Sequence, residues 1–192
     1  MILKHENATM RCDSAWLDKR HNSFEAFGQV NINQNDSINL YGKYLKYYGN
    51  EKKAYIKDEV RLTDREMTLT TSQLDYDLNQ KIGYYTTGGD IVNKDDHLTS
   101  QIGTYHAQSK TMGFKQDVVL VNPEFVMNCD TLYYNTETKT AFFFGPTTIK
   151  GQEANIYCEN GKYNTETNRA RFSINAIIHN NEYILKADSL IY

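Results

Sequence analysis

The chain has 192 residues, 40% of them apolar, with 15 tyrosines and a formal net charge of −3. That length allows one domain or two small ones, and the charge lacks the clustered Lys and Arg on which nucleic-acid binding leans, so that class is set aside. No apolar run reaches the length of a membrane-spanning helix, and Met1-Ile2-Leu3-Lys4-His5-Glu6 lacks the apolar stretch of a secretion signal, leaving a cytosolic protein or one whose signal has been removed.

Six tyrosines, Tyr47, Tyr76, Tyr105, Tyr134, Tyr163 and Tyr192, recur every 29 residues, and Leu17 stands in their place 30 residues before Tyr47. The flanking residues recur with them, as in Tyr134-Asn135-Thr136-Glu137-Thr138 against Tyr163-Asn164-Thr165-Glu166-Thr167. Such a constant period identifies an array of one repeated unit. The first unit leads from Met10 through Cys12-Asp13-Ser14 to Leu17, turns at Asp18-Lys19-Arg20-His21-Asn22, and returns through Ala26, Val30 and Ile32 to a turn at Asn33-Gln34-Asn35-Asp36. The second runs from Leu40 to Tyr47, turns at Gly49-Asn50-Glu51-Lys52, and returns through Ile56, Val60 and Leu62 to Thr63-Asp64-Arg65-Glu66. The third joins Leu69 and Tyr76 to Tyr85, Gly89 and Ile91, ending at Asn93-Lys94-Asp95-Asp96. Leu98 to Tyr105 with Phe114, Val118 and Leu120, Met127 to Tyr134 with Phe143, Thr147 and Ile149, and Ile156 to Tyr163 with Phe172, Ala176 and Ile178 make three more, before a turn at His179-Asn180-Asn181-Glu182 and a last half-unit from Leu185.

Aligned on the tyrosine, Met10, Leu40, Leu69, Leu98, Met127, Ile156 and Leu185 form an apolar column seven residues before it. A second column fifteen residues after it holds Ile32, Leu62, Ile91, Leu120, Ile149 and Ile178. Positions nine, thirteen and fifteen after the tyrosine share one parity, the period of a strand with one buried face. Asn, Asp and Gly clusters at both ends read as turns, so each unit is two strands and two turns. Leu45, Leu74, Leu132 and Leu190, two before the tyrosine, fall out of phase with the column seven before it, which predicts a bulge or corner in that strand. Cys12, Gly42, Thr71, Ser100, Cys129, Cys158 and Ala187, five before the tyrosine, are all small and predict the inside of that bend. About a dozen strands at roughly 4.8 Å spacing give an elongated body roughly 60 Å long.

The pattern small-Asp-x-Leu-x-Tyr, a polar turn, then Ala-x-x-x-Gly-x-Val-x-Ile resembles the OstA-like family, the group of LptA and the N-terminal domain of LptD. It reads Cys129-Asp130-Thr131-Leu132-Tyr133-Tyr134, then Ala141 to Gly145 with Ile149, with further copies at Cys12-Asp13-Ser14 to Ile32 and at Ala187 to Tyr192. Gly103 and Gly161 stand where other units have the leucine. The resemblance implies an all-β, V-shaped antiparallel β-jellyroll over residues 1–192, in a chain that is itself a piece of a longer protein or complete. It implies a periplasmic, non-enzymatic role in outer-membrane biogenesis, carrying lipopolysaccharide acyl chains in an apolar groove. The lipid-contacting residues so expected are Leu40, Leu69, Leu98, Met127 and Ile156 in one column, Leu62, Ile91, Leu120, Ile149 and Ile178 in the other, and Phe114, Phe143 and Phe172, with the lipid lying between the two columns. Partners expected besides the lipid are other jellyrolls of a transport bridge, met through edge strands, or further copies end to end. No cofactor is expected.

Other signals point to structure rather than chemistry. Cys12, Cys129 and Cys158 share one repeat position; hairpin repeats would hold Cys129 and Cys158 about 9 to 10 Å apart, too far to bond, whereas solenoid rungs would bring them to about 4.8 Å. His5, His21, His97, His106 and His179 lack metal-ligand spacing, and Asp95-Asp96 near Asp90 lacks the alternation of a calcium loop. Asp13, Asp130 and Asp188 share their column with Lys43, which marks an outward face rather than paired catalytic acids. The rival readings are an extracellular β-helix adhesin or polysaccharide enzyme, which two strands per 29 residues fits poorly, and an assembly module that pairs strands without binding lipid.

Overall fold

The alternating segments fold as antiparallel strands joined at the predicted turns. The structure, a computed structural model, describes residues 1–5, 8–34, 38–64 and 67–191. The turn residues Asn35, Asp36, Arg65 and Glu66, the side chain of His5, and Tyr192, where the expected period ends, lie outside these. Seventeen strands and no helix are present among the described residues, in two compact units, Met1–Lys94 and Asp95–Tyr192.

In the first unit β1 (Ile2–His5) pairs with β2 (Ala8–Arg11), and β2 and β3 (Ser14–Asp18) both lie along β4 (Ser23–Gln34). β5 (Ile38–Tyr48), β6 (Lys53–Thr63) and β7 (Met67–Asp77) follow in turn, and β8 (Ile82–Tyr85) and β9 (Gly89–Asn93) share the next edge of β7. In the second unit β10 (Asp96–Ser100) and β11 (Ile102–His106) lie along β12 (Thr111–Val121), followed by β13 (Phe125–Asn135), β14 (Thr140–Gly151), β15 (Ala154–Asn164), β16 (Arg169–Asn180) and β17 (Ile184–Ile191). Both units are meanders. The strand count exceeds a dozen because β2/β3, β8/β9 and β10/β11 are each one long strand interrupted at its middle, and because β1 precedes the first repeat.

That interruption is the corner of the fold. Between β12 and β13 the register jumps from Lys115↔Thr131 to Val118↔Cys129, so two residues of β12 oppose one of β13. The same shift recurs at Phe144/Thr147 against β15 and at Lys57/Val60 against β7. The two inserted residues carry left-handed backbone: Asp58 and Glu59, Gln116 and Asp117, Ile174 and Asn175, and Gly28 with Gln29 all have φ between 41° and 66°. At Gly145, with φ 80°, a Cβ would stand 2.9 Å from that of Asp130 on the neighbouring strand, so glycine answers both the backbone angle and the close approach. Sequence parity places the break on the tyrosine strand alone, whereas the insertion lies on its partner. An insertion of two residues leaves a period of two unchanged, and only the single opposing residue shifts the phase.

Each bent strand folds its two halves over a shared interior. In the first unit the buried cluster joins Ala26, Leu45, Ile56 and Leu74 from the tyrosine side of the corner to Met10 and Leu69 from the other side. The corner row between them is small because space is short: a Cβ on Gly42 would lie 2.6 Å from Ile56 Cγ1, and one on Gly89 would lie 2.3 Å from the Tyr85 ring. Its valines are almost fully enclosed at Val30, Val60 and Val118, each contributing about 1.5–3 kcal/mol through burial. Its hydroxyls satisfy the corner carbonyls: Thr147 Oγ1 donates to Gly145 O at 2.9 Å, Thr71 Oγ1 to Gly88 O at 2.7 Å, and Ser100 Oγ to Ile102 O at 3.1 Å.

The next interior row toward the tyrosines alternates in size along the second unit. Gly103 pairs with Phe114, Phe114 with Leu132, Leu132 with Phe143, Phe143 with Gly161, Gly161 with Phe172 and Phe172 with Leu190. A Cβ on Gly161 would fall 1.8 Å from a Phe143 ring carbon. Gly161, one of the two glycines that interrupt the leucine motif, is thus the room that the Phe143 ring occupies, and the Phe143 and Phe172 rings lie 6.3 Å apart.

The turns beyond the tyrosines repeat as well. Asn135 Oδ1 accepts from the backbone N–H of Glu137 and Thr138, and Asn164 Oδ1 does the same for Glu166 and Thr167. Each turn is hydrogen-bonded to the one a repeat earlier, Thr136 N donating to Lys110 O and Thr165 N to Lys139 O, both at 2.9 Å.

Candidate functional site

The two apolar columns are not two walls. In the first unit the pairing runs Met10↔Ile32↔Leu40↔Leu62↔Leu69↔Ile91, and in the second Leu98↔Leu120↔Met127↔Ile149↔Ile156↔Ile178↔Leu185. Residues from both columns are cross-strand partners and share one face of one sheet, so the expected groove between the columns is replaced by a single apolar row per unit. An antiparallel hairpin brings a residue seven before the tyrosine opposite one fifteen after it, a fact that only the register reveals.

This row and the phenylalanines occupy different depths. Phe143 is 0% exposed, and Phe114 and Phe172 are buried with it in the alternating row against protein. The expected residues Leu69, Leu98 and Met127 are buried too, whereas Leu40, Leu62, Ile91, Leu120, Ile149, Ile156 and Ile178 are half-buried, and Leu185 on β17 is 44% exposed. The structure therefore brings the columns together as one mostly half-accessible stripe and buries the phenylalanines in a separate row on the tyrosine side of the corner.

The tyrosines face the same interior from the opposite side of the bend. Tyr105, Tyr134 and Tyr163 pair across the strands with Met112, Ala141 and Ala170, a row next to the phenylalanines and at the margin of the sheet. Burial first, then the Glu124 carboxylate in the β12–β13 turn, push the Tyr163 phenol above its usual range. Tyr163 itself donates to Asn168 Oδ1 at 3.0 Å. In the sequence these tyrosines mark only the period; their shared parity with Leu132 is the signal that they point inward.

The cysteines are free and buried, with Thr147 paired to Cys158 on β15 and Val118 to Cys129 on β13. The intervening β14 keeps these two thiols about two strand spacings apart, roughly 9 to 10 Å, beyond disulfide reach. Burial pushes the Cys129 thiol up to about 12, with Asp130 and Cys158 adding to it, and pushes that of Cys158 up to about 11. Because the protonated form is the buried one, stability is full below the ordinary thiol value near 9 and is lost as pH rises through 11 to 12. A thiol reagent at about pH 8 is expected to leave both thiols unmodified in the folded protein and to titrate all three cysteines after denaturation. Rapid modification of Cys158 in the native state would contradict this packing.

Elsewhere the polar groups serve turns and faces. His21 Nδ1 meets Asp18 Oδ2 at 2.6 Å, and that hydrogen bond lowers the Asp18 pKa. The corner carries Lys43 paired with Glu59, and Glu159 accepting from Asn175 at 2.8 Å. No group of His, Cys, Asp and Glu fit to hold a metal ion exists among the described residues. An open depression of about 650 Å³ lies on the outside of the first unit, lined by Tyr41, Arg61, Thr70 and Ser72 among others.

Each unit is thus an all-antiparallel repeat meander bent over an apolar interior, with a partly open greasy row of its own. The sequence profile of the OstA-like protein family matches residues 1–130 and 126–188, and the chain belongs to that family. Among solved structures it is similar to LptH, the LptA-homologous periplasmic component of the lipopolysaccharide transport device of Pseudomonas aeruginosa. The identity is 13%, over 67% of this chain and 76% of that one, with a TM-score of 0.28. No curated protein matches the sequence.

Proposed function

We propose that this protein is a periplasmic carrier of lipopolysaccharide in outer-membrane biogenesis, holding acyl chains along its apolar rows and catalysing no reaction. Family membership supports the transport role. The observation that carries the site is the stripe Leu120, Met127, Ile149, Ile156 and Ile178, apolar at every strand and half-accessible at each residue except Met127. Leu40, Leu62, Leu69 and Ile91 are its counterpart in the first unit, buried only at Leu69. Phe114, Phe143 and Phe172, buried across the corner from it, act as fixed packing of the same interior.

An acyl chain of about a dozen carbons costs on the order of 10 kcal/mol to keep in water, at about 0.8 kcal/mol per methylene. A row with the same kind of side chain at each strand spacing gives every position along it nearly the same affinity, so a chain can move without crossing a large step. The tyrosine margin suits the boundary between acyl chains and water, since each ring is apolar along its body and polar at its tip. The same reading has the protein meet neighbouring jellyrolls of a transport bridge, or another copy of itself, through edge strands. Among the described residues β17 pairs with β16, and its Ile184, Leu185 and Ile191 are exposed.

Purification without detergent from the periplasm of an outer-membrane-bearing host, followed by lipid mass spectrometry, tests the carrier function. Lipid A species are expected to accompany the protein in near-stoichiometric amount. Lipid-free protein that also takes up none on incubation with lipopolysaccharide would leave the strand-pairing module as the better account.

A further inference from the structure

The outward faces of the two units differ in charge, and the carrier function uses neither. On the tyrosine side of the corner, two outward rows of the second unit run across β11 to β17, one from Ile102 through Lys115, Thr131 and Phe144 to Ser189, the other from Thr104 through Tyr133, Phe142, Lys162 and Arg171 to Ile191. They contain three cations, Lys115, Lys162 and Arg171, and no Asp or Glu. Phe142 and Phe144 are 37% and 42% exposed, Lys162 Nζ sits 5.4 Å from the centroid of the Phe142 ring, and Tyr133 meets Phe144 edge-on at 6.1 Å. The equivalent rows of the first unit balance Lys46 and Lys57 with Glu25 and Asp75, and Lys46 Nζ bonds Glu25 Oε1 at 3.1 Å.

We propose that this face of the second unit docks on an anionic lipid bilayer surface. In a chain whose net charge is −3, an area of exposed cations without facing carboxylates is complementary to a negative surface. Its exposed aromatics are the side chains that settle at the boundary between headgroups and hydrocarbon. The bordering carboxylates lie off the two rows: Asp117, Asp130, Glu159 and Asp188 belong to the corner, where Asp130 accepts from the Thr131 hydroxyl at 2.9 Å and Glu159 from Asn175, while Glu137 and Glu166 sit in the turns. Docking would hold the carrier against a membrane while leaving its interior row free.

Co-sedimentation with phosphatidylcholine vesicles, with and without phosphatidylglycerol, tests this on the full chain. Binding is expected only to the anionic vesicles, to weaken with added salt, and to fall at least about tenfold in Lys162→Glu/Arg171→Glu, since each basic residue near such a surface adds to the attraction and each new carboxylate opposes it. Lys57→Glu, the control on the balanced face, is expected to bind like the wild type. In a Trp16→Phe background, Phe144→Trp should shift its fluorescence to the blue on binding. Equal affinity for the two vesicle types, full binding by the double variant, an equal loss in Lys57→Glu, or capture of soluble dextran sulfate without vesicle binding would each overturn the proposal. None of these readouts depends on bound lipopolysaccharide, so the docking face and the carrier function fail separately.

Discussion

Replacing Phe143 with alanine is expected to lower the stability of the second unit by about 3–5 kcal/mol, measured as a shift in denaturant midpoint, because the ring is 0% exposed and its removal leaves a cavity among its neighbours. The companion change, Gly161→Ala, is expected to cost roughly 1–3 kcal/mol for the opposite reason, since the added methyl must displace the Phe143 ring from 1.8 Å. Combined, the two should be non-additive, with the added methyl costing little once the ring is gone and a favourable coupling of at least about 1 kcal/mol. Simple addition would mean that the glycine and the phenylalanine do not share one space. The row then would not be the size-matched core described above.

The second large effect concerns the half-buried row. Ile149→Asp puts a carboxylate between Met127 and Ile156, its cross-strand partners, where an acyl chain is proposed to lie. Losing the burial of one isoleucine side chain, about 1.5–3 kcal/mol, and adding a charge to be desolvated predicts lipopolysaccharide binding weakened by more than about tenfold. The site is half-accessible in the free protein, so the fold is expected to survive. Ile149→Ser, which removes the greasy surface without adding charge, guards against a purely structural loss, and Thr148→Asp on the opposite face of β14 is the control. Unchanged binding in a folded Ile149→Asp protein would remove the row from the lipid site.

Much of this is legible in the sequence because a repeat writes its geometry several times over. Tyr47 to Tyr163 mark the strand ends, the Asn and Asp clusters mark the turns, and the small residues from Cys12 to Cys158 mark the inside of the corner. What stays hidden needs the register. Gln116 and Asp117 add two residues and so leave the parity of β12 intact; Met127 and Ile149 sit in separate columns of an alignment yet are partners in the sheet. Gly161 reads as a damaged copy of Leu132 until Phe143 is seen to fill its space. Depth is equally silent, because phenylalanine in a core and isoleucine on an accessible stripe give the same apolar column. The charge contrast between outward faces is invisible for a related reason, since Lys115, Lys162 and Arg171 stand far apart in the chain and share a face only across β12, β15 and β16.

Photo-crosslinking at two adjacent positions tests the central claim most directly. A photoreactive residue in place of Ile149 faces the proposed acyl-chain row, and one in place of Thr148 faces the outside of the same strand. With lipopolysaccharide bound, adducts are expected at the Ile149 position and not at the Thr148 position. Adducts at both positions alike, or at the Thr148 position alone, would contradict a lipid held along the interior row.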